Sequence, residues 1–265
     1  MKTNSNLTHP LEVKTLEIGY RVKGNTRSLT PALNFSLPPG SLSALVGING
    51  SGKSTLLRTL SGMHPALSGQ VFLQGTPMHE LAPAHRARSL SVVLTEPIAS
   101  KNLTVNELVA LGRHPYTNWI GQLTAEDRNR VAYALEQMEL EGIKQQPCHT
   151  LSDGQLQRAL IARALSQDTA LMLLDEPTTH LDLYHKVKIL KLLKEVTRMA
   201  DKTILFSTHE IDLAIQLCDH ILILSAEHSQ FGSPCSLIES GGFDSLFPGD
   251  TIHFDRTLGM FKVNK

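Results

Sequence analysis

The chain has 265 residues, of which 41% are hydrophobic and 19% are charged, a balance typical of a folded protein. Its formal net charge is zero, which gives no reason to expect a nucleic-acid-binding surface or attraction to anionic lipid. No apolar run reaches the roughly 18 residues that a transmembrane helix needs, and the first residues lack the apolar run of a signal peptide. The 3 cysteines are isolated and indicate free thiols in a reducing compartment, and the 12 histidines lack the spacing of a metal site.

The predicted elements alternate between strand and helix along most of the chain. They are, in chain order, a strand at 11–20, a polar turn at 23–28, strands near 33–37 and at 41–46, a helix at 55–62, a pair of short strands within 67–75, helices at 105–113 and 124–140, a strand at 170–174, a helix at 186–197, and strands at 203–207 and 221–224. The runs at 170–174 and 203–207 are too short for helices and read as buried, central parallel strands. Strands that alternate with helices predict a parallel sheet with helices on both faces.

One interval interrupts this alternation. Residues from about 97 to 165 contain no evident strand, and the helix at 124–140 opens with a threonine and acidic residues, as helix starts do. The interval therefore predicts a helical lobe inserted into the sheet. The expected division of a single domain, 1–265, is a core over 11–95 and 166–228, the lobe over 97–165, and a tail over 229–265 whose role the spacing leaves undecided.

A phosphate-binding loop follows the strand at 41–46. The segment GINGSGKS, from Gly47 to Ser54, fits the pattern G-x-x-x-x-G-K-S/T and lies between a predicted strand and a predicted helix. Its glycines let backbone N–H groups approach phosphate oxygens, and the helix N-terminus favours the anion. Lys53 supplies a charge for the β- and γ-phosphates, and Ser54 supplies a hydroxyl for Mg²⁺. The alternative, a glycine-rich turn with a chance lysine, does not account for this context.

Three further polar side chains follow predicted strands. Asp175 and Glu176 come directly after the run at 170–174, and His209 follows the strand at 203–207. Ligands bind at the carboxyl ends of the strands in such sheets. An aspartate there can hold Mg²⁺, a glutamate can orient a water molecule for attack on phosphorus, and a histidine can donate to the γ-phosphate. Each alone would read as an ordinary loop residue, but together with the phosphate loop they predict a site of phosphoryl chemistry.

Two other features have open interpretations. Tyr20 could stack on an adenine ring, or it could be an ordinary core or surface tyrosine. The segment LSDGQ places Ser152 and Gly154 at a helix start suited to an anion, although the phosphate loop lies far away along the chain. Together with that loop, the segment predicts that the phosphate belongs to a second copy of the chain.

The segments GINGSGKS, LSDGQ, LMLLDEP, TTHLD and STHE occur in this order. The set resembles the ATP-binding cassette (ABC) ATPases, over most of the chain. The resemblance implies an α/β fold: a RecA-like P-loop NTPase core with a parallel sheet, an antiparallel β subdomain at the N-terminal side, and an inserted α-helical subdomain. It also implies ATP and Mg²⁺ as ligands.

The same resemblance assigns roles to individual residues. They are adenine stacking for Tyr20; phosphate binding for Gly47, Asn49, Gly50, Ser51, Gly52, Lys53, Ser54 and Thr55; Mg²⁺ binding for Ser54, Glu96 and Asp175; catalysis for Glu176 and His209; the signature for Ser152, Gly154 and Gln155; and a contact across a dimer interface for Asp182.

A narrower likeness concerns the lobe. LTVNELVALGRHPYTNWIGQLTAEDR and EPTTHLDLYHK are similar to the ATPase subunits of importers for iron–siderophore complexes, haem and cobalamin. The likeness implies ATP hydrolysis in a homodimer that works with integral membrane permease subunits at the cytoplasmic face of the inner membrane, indirectly with a solute-binding protein, and without nucleic acid. Residues 96–120, with Tyr116 and Trp119, would touch the permease, unless they form an ordinary apolar lobe surface. The alternatives are a soluble ABC-type ATPase not tied to transport and a weakly hydrolysing regulatory module.

Two positions depart from the family pattern. Glu96 stands where a glutamine is usual, which keeps an oxygen for Mg²⁺ but adds negative charge near the γ-phosphate. Asp153 stands where a glycine is usual, and we expect its side chain to point away from the phosphate. An aspartate also suits the first turn of the helix that follows.

Overall fold

The computed structural model describes residues 8–22, 25–94, 102–247 and 252–264, so Glu96 lies outside the described residues. The strands are β1 (Leu11–Glu17), β2 (Gly19–Val22), β3 (Asn25–Ser28), β4 (Leu33–Leu37), β5 (Leu42–Val46), β6 (Ser68–Leu73), β7 (Thr76–Pro77), β8 (Leu90–Val93), β9 (Leu171–Leu174), β10 (Thr203–Ser207), β11 (His220–Ile223), β12 (Gln230–Gly232), β13 (Ile252–Asp255) and β14 (Met260–Val263). The α-helices are α1 (Lys53–Leu60), α2 (Pro83–Ser89), α3 (Val105–Ala110), α4 (Ala125–Gln137), α5 (Asp153–Ser166), α6 (Leu183–Met199), α7 (Ile211–Leu217) and α8 (Pro234–Glu239).

A six-stranded sheet with the order β12-β11-β5-β10-β9-β8 forms the centre of the molecule. Its strands run parallel except β12, which pairs antiparallel with β11. Strands β5, β9 and β10 are buried throughout, which explains why their sequences are continuously apolar rather than alternating. The predicted parallel sheet is confirmed.

Side chains that alternate along the central strands divide the core into two clusters. Phe206 and Leu174 belong to one cluster, which continues into α3, α4, α5 and α6. Leu205 and Leu45 belong to the other, which continues into α1 and the N-terminal strands. The sheet thus has helices of the lobe and α6 on one face and α1 with a second sheet on the other.

That second sheet is antiparallel, with the order β4-β1-β6-β7. The single strand predicted at 11–20 is wrong, because Thr15 adopts a φ of 45° at a register shift and the chain leaves this sheet after β1. It then forms a separate hairpin of β2 and β3, so part of the predicted polar turn at 23–28 is a strand. The alternation of apolar residues does not reveal such a change of sheet.

The described part of the lobe, 102–165, contains α3, α4 and most of α5, joined by short 3₁₀ turns. Arg113 holds it together from inside: its Nε donates to Asp127 Oδ1 at 2.8 Å, and its Nη1 donates to the Ser166 carbonyl at 2.8 Å. Its guanidinium also lies 3.9 Å from the centre of the Tyr116 ring. Arg113 is 4% exposed and Asp127 is 2% exposed, so one buried ion pair links the turn after α3, the start of α4 and the end of α5.

The helix predicted at 105–113 is shorter in the structure. It ends at Ala110, and the chain tightens into a 3₁₀ turn over Leu111–Tyr116 that contains Pro115. Gly112 lies against α5 so closely that a Cβ atom there would be 2.1 Å from the Arg163 carbonyl oxygen. This contact requires glycine, and it joins the turn to the helix that carries the LSDGQ segment.

The tail, whose role the sequence left undecided, adds β12 to the central sheet, then α8, and then the antiparallel hairpin of β13 and β14. The hairpin packs against the segment after α8 through aromatic rings. The ring centre of Phe254 lies 4.9 Å from that of Phe243 and 5.0 Å from that of Phe261. No helix in the described part of the chain is long and apolar enough to cross a membrane.

Candidate nucleotide-binding site

The loop between β5 and α1 has the conformation that the glycine pattern predicts. Gly50 and Gly52 have φ values of 79° and 99°, in the left-handed region that other residues rarely occupy. Gly52 is the N-cap of α1 and has no side chain to accept from the first N–H groups of the helix. Those groups, together with the helix dipole, favour an anion at this end.

Lys53 lies inside the loop, with only 6% of its surface exposed. Its Nζ donates to the carbonyl oxygens of Gly47 at 2.9 Å and Ile48 at 3.2 Å. Burial lowers the pKa of Lys53, while the nearby charges of Glu176 and Asp175 work to raise it. The ammonium group is thus placed among the loop carbonyls and close to two carboxylates.

Asp175 connects three segments at the end of β9. Its Oδ1 accepts hydrogen bonds from Ser207 Oγ at 2.7 Å and from Ser54 Oγ at 3.2 Å. Its backbone N–H donates to the Val93 carbonyl at 2.8 Å. Asp175 and Ser54 therefore place two oxygen atoms side by side, and oxygen atoms are the ligands that Mg²⁺ prefers.

Glu176 extends towards His209, whose Nε2 lies 2.8 Å from Glu176 Oε1. Thr179 Oγ1 donates to the other carboxylate oxygen at 3.0 Å. Burial works to raise the pKa of Glu176, but the hydrogen bonds from His209 and Thr179 outweigh it and hold that pKa below its usual value. Glu176 therefore remains ionised at neutral pH, as a group that orients and polarises water must.

A cleft of about 330 Å³ lies in front of this network. Tyr20, 44% exposed, stands at its edge, and its hydroxyl lies 2.7 Å from Thr55 Oγ1. The residues that line the cleft are Tyr20, Arg27, Leu29, Asn49, Gly50, Gly52, Lys53, Ser54, Thr55, Glu176 and His209.

The other predicted residues lie elsewhere. Ser152 caps α5, where its Oγ accepts from the Gln155 backbone N–H at 3.3 Å and the Gln155 side chain accepts from the Ser152 N–H at 3.0 Å. Asp182 caps α6, accepting from the His185 backbone N–H at 2.9 Å. Asp153 is exposed in the first turn of α5. None of the residues Ser152, Asp153, Gly154, Gln155 and Asp182 lines the cleft, so the phosphate loop and the signature segment lie apart within one chain.

Comparison with known proteins identifies the family. Residues 31–179 match the family model of the ABC transporter. The chain belongs to the ABC transporter family. Its fold and its ATP hydrolysis follow: the predicted P-loop core, antiparallel sheet and helical insert are confirmed, and this ABC chain is an ATPase that binds ATP.

Relatives and solved structures of ABC proteins extend the match to most of the chain. The achromobactin transport ATP-binding protein CbrD of Dickeya dadantii is 37% identical, over 88% of this chain and 86% of that protein. The ferric enterobactin transport ATP-binding protein FepC of Escherichia coli is 38% identical, over 81% and 78%. A dimeric structure of the bacterial cassette MJ0796 has a TM-score of 0.73 and 26% identity, covering 84% of this chain and 98% of that one.

Sequence reasoning missed three polar residues of this ABC site. Arg27 lines the cleft beside Tyr20, because the two residues are cross-strand partners in the hairpin of β2 and β3. Thr179 and Ser207 hold the carboxylates in place. Thr179 and Ser207 lie within the quoted segments TTHLD and STHE, and a further signal was the serine that ends the apolar run TILFS, since a hydroxyl in a buried strand needs a partner.

Proposed function

We propose that this ATPase powers the import of an iron–siderophore complex through a membrane permease, as a homodimer at the cytoplasmic face of the membrane. The observation that carries the proposal is the separation of the catalytic cleft, with Lys53, Glu176 and His209, from the signature segment, in which Ser152 is exposed. The relatives named for achromobactin and ferric enterobactin transport support the cargo. The molecule divides into a core at 11–95 and 166–228, a lobe at 97–165 and a tail at 229–265.

The phosphate loop would hold the nucleotide. Gly47, Asn49, Gly50 and Ser51 would surround the phosphates, and Lys53 would exchange its loop carbonyls for phosphate oxygens. Ser51 Oγ is buried and has no protein partner among the described residues, so an anion in the loop would satisfy it. Tyr20 would stack on the adenine ring, with Thr55 fixing its hydroxyl.

Ser54 and Asp175 fit Mg²⁺, because their oxygens lie 3.2 Å apart beside the loop and both are hard ligands. The ion would supply Lewis-acid stabilisation of the charge that develops on the phosphate oxygens. Glu96, as a carboxylate, would add a further oxygen ligand. Glu176 would orient the attacking water, and His209, released from Glu176 Oε1, would donate to the γ-phosphate.

The second copy would complete the site. The N-terminus of α5 would close on the partner's γ-phosphate through Ser152, Gly154 and Gln155, and Asp182 would contact the partner across the interface. The dimeric structures of MJ0796, one of them bound to ADP and Pi, support this arrangement.

The lobe would meet the permease. Trp119 is 94% exposed and Ile120 is 68% exposed, in the segment between α3 and α4. Large apolar side chains so exposed are typical of an interaction surface. They lie in the described part, 102–120, of the predicted contact at 96–120.

The deciding experiment is uptake of a radiolabelled ferric siderophore by cells that express the chain with its permease. We expect uptake with the wild type and none with Glu176→Gln, which keeps the fold but cannot activate water. Trp119→Ser is expected to reduce uptake while the ATPase rate of the purified chain stays unchanged. If Glu176→Gln cells took up iron at the wild-type rate, the transport role would be refuted. If Trp119→Ser had no effect on uptake, the proposed contact of Trp119 with the permease would be refuted.

A further inference from the structure

Ser207 occupies an unusual position for a polar side chain. It is the last residue of β10, between β5 and β9 in the central sheet, and none of its surface is exposed. A buried hydroxyl needs a hydrogen-bond partner, and most serines find one in the backbone nearby. The Ser207 hydroxyl instead reaches across to the end of the neighbouring strand β9.

There it makes two hydrogen bonds to consecutive residues. Ser207 Oγ donates to Asp175 Oδ1 at 2.7 Å, and it accepts from the Glu176 backbone N–H at 2.8 Å. One buried oxygen therefore fixes the side chain of the residue proposed to hold Mg²⁺ and the backbone of the residue proposed to orient water.

The backbone bond is important because Glu176 has a strained conformation. Its φ of 48° lies in the left-handed region, which a glutamate adopts only when its surroundings hold it there. Ser207 binds the N–H of this residue, and the Thr179 N–H binds its carbonyl at 3.2 Å. The two contacts fix the backbone of Glu176, and with it the direction of its side chain, just beyond the end of β9.

The side-chain bond is equally specific. Asp175 Oδ1 accepts from two hydroxyls, but Ser54 belongs to the phosphate loop and would turn towards the metal. Ser207 is then the donor that continues to hold the carboxylate.

We propose that Ser207 is a positioning residue for ATP hydrolysis: its hydroxyl holds the Asp175 carboxylate and the Glu176 backbone in fixed relation to each other. This inference rests on the proposed roles of Asp175 and Glu176.

The test compares Ser207→Ala with Thr203→Val. Thr203 begins the same strand, is equally buried, and uses its hydroxyl to bond Gly40 and Pro38 far from the carboxylates. Each variant thus removes one buried hydroxyl from β10. Binding of a fluorescent ATP analogue is measured over a series of Mg²⁺ concentrations and in EDTA, together with kcat and KM.

For Ser207→Ala we expect the half-saturating Mg²⁺ concentration to rise and kcat to fall, each roughly tenfold or more, as loss of a hydrogen bond to a charged group predicts. Binding in EDTA and KM for ATP stay close to wild type. Thr203→Val lowers the melting temperature only. Ser207→Cys, which keeps the volume with a weaker donor, changes in the same direction as Ser207→Ala.

The proposal is overturned if Ser207→Ala leaves both the Mg²⁺ dependence and kcat unchanged, or if Thr203→Val alters them equally. Failure of the proposed site itself gives a different result: Asp175→Asn would then leave the Mg²⁺ dependence of binding unchanged, and Glu176→Gln would hydrolyse ATP at the wild-type rate.

Discussion

At the scale of single residues, the neighbours of Glu176 determine whether its carboxyl group is ionised. Burial favours the protonated carboxyl group, yet the hydrogen bonds from His209 and Thr179 hold the pKa below its usual value. These donors stabilise the charged form only while they keep their positions on the two carboxylate oxygens. Ionisation of the proposed catalytic residue therefore depends on Thr179, three residues further along the chain, for which the sequence pattern predicted no role.

Thr179→Val removes one of these donors while keeping the shape of the side chain. The pKa of Glu176 should rise, because burial is then less opposed. The lost hydrogen bond should move the acid limb of the kcat profile to higher pH, since Glu176 must be ionised to orient water. The measurement is kcat against pH for wild type, Thr179→Val and the matched control Thr179→Ser, which keeps the hydroxyl. An acid limb that coincides in all three proteins would contradict this role.

At the scale of elements, the buried pair of Arg113 and Asp127 organises the lobe. Burial works to raise the pKa of Asp127, but the hydrogen bonds from Thr124 and Arg113 outweigh this effect. The net result is a pKa of about 2, below the ordinary 3.8. A folded-state pKa below the unfolded one means that the carboxylate stabilises the fold above pH 3.8. That stabilisation is lost as the pH falls towards about 2.

Arg113→Met leaves the Asp127 carboxylate buried without its cation, and it also removes the donor to the Ser166 carbonyl. We expect a loss of about 3–5 kcal/mol in the free energy of unfolding at pH 7, the magnitude typical of a broken buried pair. Urea unfolding followed by circular dichroism measures it. Lys262→Met breaks the partly exposed pair with Asp255 and should cost much less, because solvent screens an ion pair at the surface. Equal effects of the two substitutions would rule out the lobe pair as an organising contact.

The elements also show what the sequence can and cannot predict. The apolar runs at 170–174 and 203–207 predicted β9 and β10 because burial on both faces leaves a local pattern. The phosphate loop was found because its chemistry needs glycines and a lysine at fixed spacing. The contact of Ser207 with Asp175 was not found, because it depends on β9 and β10 being neighbours, and the pattern within a strand does not specify its neighbour. The break after β1 was missed for the same reason.

At the scale of the whole molecule, the signature segment lies away from the cleft of its own chain, with Ser152 exposed and Gly154 buried. A Cβ atom added at Gly154 would lie 3.4 Å from His185 Cδ2, an ordinary contact. Nothing in the single chain therefore requires glycine there. The requirement, if the dimer forms as proposed, comes from the phosphate of the partner.

Gly154→Ala is thus expected to fold at least as stably as the wild type, since alanine favours the helix by up to about 1 kcal/mol, and yet to lose ATP hydrolysis. Melting temperature and ATPase rate test this. The matched control is Gly142→Ala, also in the lobe, where a Cβ atom meets nothing within 4 Å and hydrolysis should be unchanged.

Mixing Gly154→Ala with Glu176→Gln then tests the exchange between chains. Each mixed dimer contains one site with an intact Glu176 and an intact Gly154, so hydrolysis should reappear although both proteins are inactive alone. A mixture that stays inactive would mean that each chain completes its own site.

The position of β5 in the sheet affects how the protein can fold while it is being synthesised. This strand lies between β10 and β11, which the ribosome makes only much later. At about 5–20 residues per second, roughly 10–30 s pass before Leu45 can pair with Ser207. During that time the phosphate loop emerges without the strand that will complete its site, and the apolar LSALV segment needs shielding from other nascent chains. ATP cannot act as a folding template until the chain has been synthesised at least as far as Ser207, the end of β10.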